Sequence, residues 1–194
     1  MASYDLAIVG GGVGGAALAT VMARAGYSVL LLEQSEVYED RVRGEWIAPW
    51  GVAETKSVGL YDLLLAAGGH HLARHVTYDE SREAEVSEAR TLPLNIFAAG
   101  VPGPLCLGHP LHCQTLFDAA KAAGADARRG VVVSEVRLGE RPGVTFDHDG
   151  TTVAADARLV VGADGRTSQV REAAGVELHQ DKSHHFCAGL LVER

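Results

Sequence analysis

The residues whose types and spacing suit chemistry lie first in the chain. Gly10, Gly12 and Gly15 form a G-x-G-x-x-G, Gly11 and Gly14 fill out the loop, and an acid, Glu33, stands 18 positions beyond Gly15. Such a loop suits a dinucleotide. Gly10 permits a tight turn, Gly12 has no side chain to hold the backbone off a pyrophosphate, and Gly15 lets a helix lie close to a strand. A helix starting there offers free N–H groups and a partial positive charge to phosphates. Glu33 can accept hydrogen bonds from ribose hydroxyls.

The elements that must position these groups read clearly. Leu6 to Val9 is an apolar strand run, and Ala16 to Ala25 is small, apolar and free of proline, as suits a helix packed on a sheet. Gly26 ends that helix, and Val29 to Leu32 form a second buried strand. The strand before the glycines, the helix after them and the acid beyond turn a weak pattern into a specific one.

Composition excludes several classes. The 194 residues are 47% hydrophobic and 22% charged, as in a soluble globular chain of one domain or one domain with part of another. The net charge of −8, with no long basic stretch, argues against a nucleic-acid partner. No signal peptide is visible and no apolar stretch reaches the ~18 residues of a membrane span. Cys106, Cys113 and Cys187 show no C-x-x-C spacing, so no disulfide scaffold or zinc site is expected and a cytoplasmic location fits. Adjacent side chains in His70–His71 and His184–His185 diverge, which argues against metal binding.

Further along, Gln34 to Glu45 reads as a polar loop, and Gly51 to Lys56 and Leu60 to Ala67 as helices. His75 to Asp79 and Leu92 to Ala99 are expected as strands, with an exposed acidic stretch, Ser81 to Ala89, between them. His112 to Ala123 has helical periodicity. Gly130 to Leu138, Gly143 to His148 and Thr151 to Ala154 read as strands, with a hairpin turn at His148-Asp149-Gly150, and Arg158 to Val161 as a further buried run. A helix is expected over Gln169 to Ala174, capped by Ser168 or Thr167. Phe186 to Val192 is strand-like, and the chain stops as if in mid-sheet.

Two other stretches carry chemistry. Arg41-Val42-Arg43-Gly44-Glu45 offers guanidinium forks to a pyrophosphate. Ala163-Asp164-Gly165-Arg166-Thr167-Ser168-Gln169-Val170-Arg171 follows a strand and precedes a helix, where open α/β sheets bind ligands. With the glycine loop, these stretches resemble the FAD-dependent monooxygenases of the p-hydroxybenzoate hydroxylase type. That family carries an N-terminal G-x-G-x-x-G, a Glu after the second strand, an Arg loop and an A-D-G-x-x-S-x-V-R motif. Arg43 to Glu45, followed by Pro49 and Val58-Gly59-Leu60, also resembles branches that include halogenases, epoxidases and prenyl reductases.

The resemblance implies an α/β fold: a Rossmann-like, three-layer ββα FAD-binding domain with part of a mixed-sheet substrate domain. The FAD domain is expected over 1–71 and 100–180, the substrate-side sheet over 72–99 and 181–194. FAD would be held by Gly10, Gly12, Gly14, Gly15, Glu33, Gln34, Arg43, Asp164 and Gly165, and by Gln114 or Cys113 at the start of the helix expected over His112 to Ala123. Glu33 would meet the adenosine ribose, Arg43 the pyrophosphate and Asp164 the pyrophosphate–ribityl region, with Ser168 and Arg171 supporting the loop. The family's later Gly-Asp motif does not occur here, so the chain reads as the N-terminal part of a longer enzyme.

The activity implied is NAD(P)H-dependent hydroxylation of a small organic substrate, aromatic ones included, through a flavin C4a-hydroperoxide. NAD(P)H would dock transiently, since no second glycine fingerprint is present, and no catalytic acid or base is named. The alternatives are a halogenase or prenyl-chain reductase of the same fold, or a non-catalytic FAD-binding module.

Overall fold

The computed structural model describes residues 2–40 and 46–185. The loop bearing Arg41, Arg43 and Glu45, and the strand expected over Phe186 to Val192, lie outside the described residues. In chain order, β1 (Ala2–Val9), α1 (Val13–Arg24) and β2 (Val29–Glu33) come first. β3 (Trp46–Ile47), α2 (Pro49–Ser57), α3 (Tyr61–Ala66), β4 (His70–His71), β5 (Arg74–His75), α4 (Ala84–Ala89), β6 (Leu92–Pro93) and β7 (Leu105–Cys106) follow. Then come α5 (His109–Ala122), β8 (Asp126–Arg129), β9 (Val132–Arg137), β10 (Gly143–His148), β11 (Thr151–Gly162) and α6 (Gln169–Ala173).

The chain divides into two compact units, Met1–Glu39 with Cys113–Arg194, and Asp40–His112. The first is built on a six-stranded sheet in the order β8-β2-β1-β11-β10-β9. β8, β2, β1 and β11 run parallel, and β11, β10 and β9 form an antiparallel meander. β11 serves both halves, pairing Thr151 to Asp156 with β10 and Ala155 to Gly162 with β1. The two runs read from the sequence, Thr151 to Ala154 and Arg158 to Val161, are therefore one strand. No glycine or proline interrupts them.

β1 and β2 are apolar at successive positions because both of their faces are covered. On one face Ala7, Val9, Leu30 and Leu32 pack with Val144 and Phe146 of the meander and with Val131, Val133, Ala155, Ala157 and Val170. On the other, α1 packs against β1 and β2 through Ala16, Ala19 and Ala23. The buried Thr20 hydroxyl is shared between the Ala16 and Leu116 carbonyls, tying α1 to α5. The result is a Rossmann-like, three-layer ββα arrangement. At the hairpin turn Asp149 and Gly150 both take positive φ, 51° and 72°, as a two-residue turn joining β10 and β11 requires.

β8 was not visible in the sequence. Asp-Ala-Arg-Arg lacks an apolar run, and the strand exists because it pairs in parallel with β2, Leu30 to Asp126 through Glu33 to Arg129. The single strand expected over Gly130 to Leu138 starts only at Val132, after Gly130 turns the chain at φ 66°.

In the second unit, β7 lies between β3 and β4, and β5 pairs with β6. The strand expected over Leu92 to Ala99 is two residues long, since Pro93 cannot donate to a ladder and Leu94–Ile96 winds into a 3₁₀ turn. His75 to Asp79 likewise contributes only its first residue, in β5, and the acidic stretch contains α4. Trp46 pairs with Cys106 on one side of β7 and His70 pairs with Cys106 on the other. His71 uses both ring nitrogens here: Nε2 accepts from the Tyr61 hydroxyl at 2.8 Å and Nδ1 donates to the Gly103 carbonyl at 2.8 Å. No helix among the described residues is long and apolar enough to cross a membrane.

His112 is buried, and burial, helped by the nearby His109, pushes its pKa down to about 4. The folded chain therefore binds fewer protons than the unfolded one between about pH 4 and pH 6.5. Stability should fall as pH drops through that window, by ~3 kcal/mol at most. Urea denaturation at pH 7 and pH 5 checks this. His112→Leu should flatten the difference, and an unchanged slope would show that another group sets it.

Candidate functional site

The glycine loop, Glu33 and the Asp164-Gly165 turn meet at the carboxyl ends of β1, β2 and β11. They line a cleft of about 290 Å³ that includes Gly10, Gly12, Glu33, Gln34, Asp164, Gly165 and the run Val131 to Val133. The approach of backbone to backbone is severe. A Cβ on Gly15 would lie 1.9 Å from the Gly10 carbonyl oxygen, and one on Gly10, at φ 102°, would lie 2.3 Å from the Ala163 carbonyl oxygen. Only glycine fits at both. The Gly10 N–H donates to Leu32 O at 2.8 Å and the Ala163 N–H to Val9 O at 2.7 Å, which locks the crossing.

Gly12 and Gly14 differ. A Cβ on either would meet nothing within 4 Å, so the space beside them is open. Gly12 is the N-cap of α1, whose first intrahelical bond runs from Ala16 N to Gly12 O at 2.9 Å. The N–H groups of Val13, Gly14 and Gly15 therefore have no partner within the helix and carry its positive end. With Gly12 on the cleft wall, this is a cradle for an anion.

Glu33 is only 8% exposed. Its Oε2 accepts from the Gly11 N–H at 2.6 Å and its Oε1 from the Ser35 N–H at 2.8 Å. A carboxylate has about four lone-pair positions, so two remain for ligand hydroxyls. Gly11 had no role in the sequence reading, although its glycine is forced too, since a Cβ would sit 2.7 Å from that of Glu33. On its other side the Tyr38 hydroxyl donates to the Gly11 carbonyl. Burial, reinforced by the Glu33 charge, raises the Tyr38 pKa well above the ordinary range and keeps that hydroxyl a donor.

Asp164 turns inward. Its Oδ1 accepts from the Ser168 hydroxyl at 2.5 Å and its Oδ2 from the Val170 N–H at 3.2 Å. Ser168, not Thr167, caps α6, accepting from the Arg171 N–H at 3.0 Å, and the Arg171 side chain donates to Arg166 O at 2.8 Å. Gly165 takes φ 80°, with open space where a Cβ would stand. Gln114 is not among the residues lining the cleft. Its amide is occupied by Asp118 at 2.8 Å and by Arg129 at 2.7 Å, and Cys113 is buried. Val131, Tyr38 and Arg129 were all missed from the sequence.

Comparison with known proteins places this geometry. Residues 3–192 match the family model described as an FAD binding domain. The chain is 33% identical over 193 residues to 6-methylpretetramide 4-monooxygenase of Streptomyces rimosus, covering 90% of this chain and 41% of that protein. It is 31% identical over 200 residues to digeranylgeranylglycerophospholipid reductase 1 of Methanococcoides burtonii, covering 97% and 44%. The chain thus spans less than half the length of these relatives. Among solved structures, anhydrotetracycline hydroxylase OxyS from Streptomyces rimosus superposes with a TM-score of 0.77 at 23% identity, over 94% of this chain and 36% of that one.

The glycine geometry separates two kinds of position. Gly15→Ala should cost about 3 kcal/mol or more, because the Gly10 carbonyl cannot move aside without breaking the crossing. Gly12→Ala should stay within about 1 kcal/mol of the parent. Chemical denaturation of both variants checks the contrast, and equal losses would show that the loop is not held as described.

Proposed function

The chain belongs to the FAD-binding domain family, and from that premise we propose that its cleft holds FAD for a NAD(P)H-dependent monooxygenase of small organic substrates. The observation that carries this reading is the convergence of the open Gly12 cradle, the Glu33 carboxylate and the Asp164-Gly165 turn on one cleft.

The residues divide the work. The backbone at Gly12 and the first amides of α1 would receive the pyrophosphate, with Gly10 and Gly15 shaping the loop and Gly14 leaving room beside it. Glu33, with Gln34 next to it, would accept the ribose hydroxyls. Gly165 would allow close approach at the pyrophosphate–ribityl segment while Asp164, capping α6 with Ser168, fixes the turn. Arg43 would add a bidentate contact to the phosphates, a role that rests on its place in the sequence. Gln114 would act through the helix it braces rather than from the cleft wall. Bound FAD supplies two-electron redox chemistry and oxygen activation, with NAD(P)H as the reductant. The protein's part is to bind, orient and exclude water. A halogenase would use the same cofactor cleft.

A second reading, reduction of a prenyl chain, is favoured by the reductase relative at 31% identity. Oxygen uptake stoichiometric with NAD(P)H oxidation and a hydroxylated product supports the monooxygenase. Saturation of a double bond without oxygen uptake supports the reductase.

The purified protein should bind FAD with the visible band of a flavin and should not bind NAD tightly. Glu33→Gln keeps one acceptor oxygen but removes the charge, and should weaken FAD by about 1.5–3 kcal/mol, the range for hydrogen bonds to a charged group. Fluorescence titration measures it. A protein that takes NAD and refuses FAD would sink the proposal, and an unaltered dissociation constant in Glu33→Gln would remove Glu33 from the site.

A further inference from the structure

Arg129 ends β8 as the register partner of Glu33, yet its guanidinium is stacked elsewhere. Its carbon lies 3.9 Å from the centre of the Tyr38 ring and 5.1 Å from that of Phe117. The two rings meet edge to face, with centroids 6.5 Å apart. Nη1 donates to the Gln114 Oε1 at 2.7 Å, while Nε and Nη2 are buried without a hydrogen-bond partner among the described residues. A buried guanidinium in this state is costly unless ring faces meet its charge, as they do here. One side chain thus pins the loop carrying Tyr38, the helix carrying Gln114 and Phe117, and the end of the sheet.

The consequence lies two bonds away. Tyr38 donates to the Gly11 carbonyl, and the Gly11 N–H donates to Glu33. Gly11 is therefore held at both of its backbone groups. A trans peptide is planar, with its N–H antiparallel to its C=O, so fixing the Gly11 carbonyl against Tyr38 aims the Gly12 N–H the opposite way. We propose that Arg129 and Tyr38 are positioning residues for the dinucleotide, setting the aim of the Gly12 N–H and of the Glu33 carboxylate without touching the ligand. This rests on the reading of the cleft as an FAD site. The positive charge over the ring also strengthens the phenol as a donor, opposing the burial that weakens it. Preorganisation of this kind raises affinity by sparing the ligand the cost of ordering the loop.

The test joins FAD titration with the amide spectrum of the ligand-free ¹⁵N-labelled protein. Tyr38→Phe keeps the ring beneath the cation and removes only the bond to Gly11. Arg129→Met removes the charge, and Arg129→Lys restores it without the fork. FAD affinity should fall tenfold or more in Tyr38→Phe and Arg129→Met, with Arg129→Lys between them and the parent. The Gly11 and Gly12 amide resonances should shift in both weakened variants, the Gly11 proton starting downfield because of its short bond to a carboxylate. An unmoved Gly11 resonance in Tyr38→Phe, or FAD affinity within twofold of the parent, overturns the proposal. Should Arg129→Met fail to fold, Tyr38→Phe decides by the same two readouts. Failure of the parent itself to bind FAD would refute the cofactor reading, while the Gly11 resonance would still decide the clamp.

Discussion

The contact between the start of α1 and the end of β1 leaves no space for a side chain. Where Gly15 faces the Gly10 carbonyl, even a methyl carbon would sit 1.9 Å away. Because α1 comes that close, its first turn overhangs the carboxyl ends of the strands, and its free amides and dipole act where a phosphate can reach them. The same closeness brings Ala163 and Asp164 against Gly10, which joins the second motif to the first. The Rossmann-like topology supplies the parallel strands. The missing side chains make their ends a site.

A second constraint is electrostatic. The site buries an acid, Glu33, and sets beside it a half-buried phenol, Tyr38, and a half-buried guanidinium, Arg129. An unpaired buried carboxylate would be expensive, but two backbone N–H groups hold this one at fixed positions. The arrangement sets a carboxylate and the positive end of α1 on one cleft. These two features suit the ribose hydroxyls and the phosphates of the proposed dinucleotide. That polarity is what a generic apolar pocket lacks.

Much of this was legible in the sequence because it depends on local rules. The run Leu6 to Val9, the small residues of α1 and the run Val29 to Leu32 fall in β1, α1 and β2, and β10 begins and ends where the alternation does. Gly10, Gly12 and Gly15 could be given separate roles because the loop's geometry follows from backbone sterics. What could not be read depends on partners distant in the chain. β8 is a charged tetrapeptide made into a strand by β2, and β3, β4 and β7 are two-residue pairings that no periodicity can announce. Gln114 was placed by the resemblance alone, and no spacing rule shows that its amide is held by Asp118 and Arg129. Tyr38 and Arg129 lie far apart in sequence, and no spacing rule links a tyrosine in a polar loop to an arginine closing an edge strand.

The most direct measurement of the account is a crystal structure of the protein with FAD bound. It should place the pyrophosphate against the Gly12 N–H and the first turn of α1, the ribose hydroxyls within hydrogen-bond distance of Glu33, and the ribityl side of the pyrophosphate at Gly165. FAD seated elsewhere, or with its ribose turned away from Glu33, would contradict the claim that the glycine crossing and the buried acid together build the site.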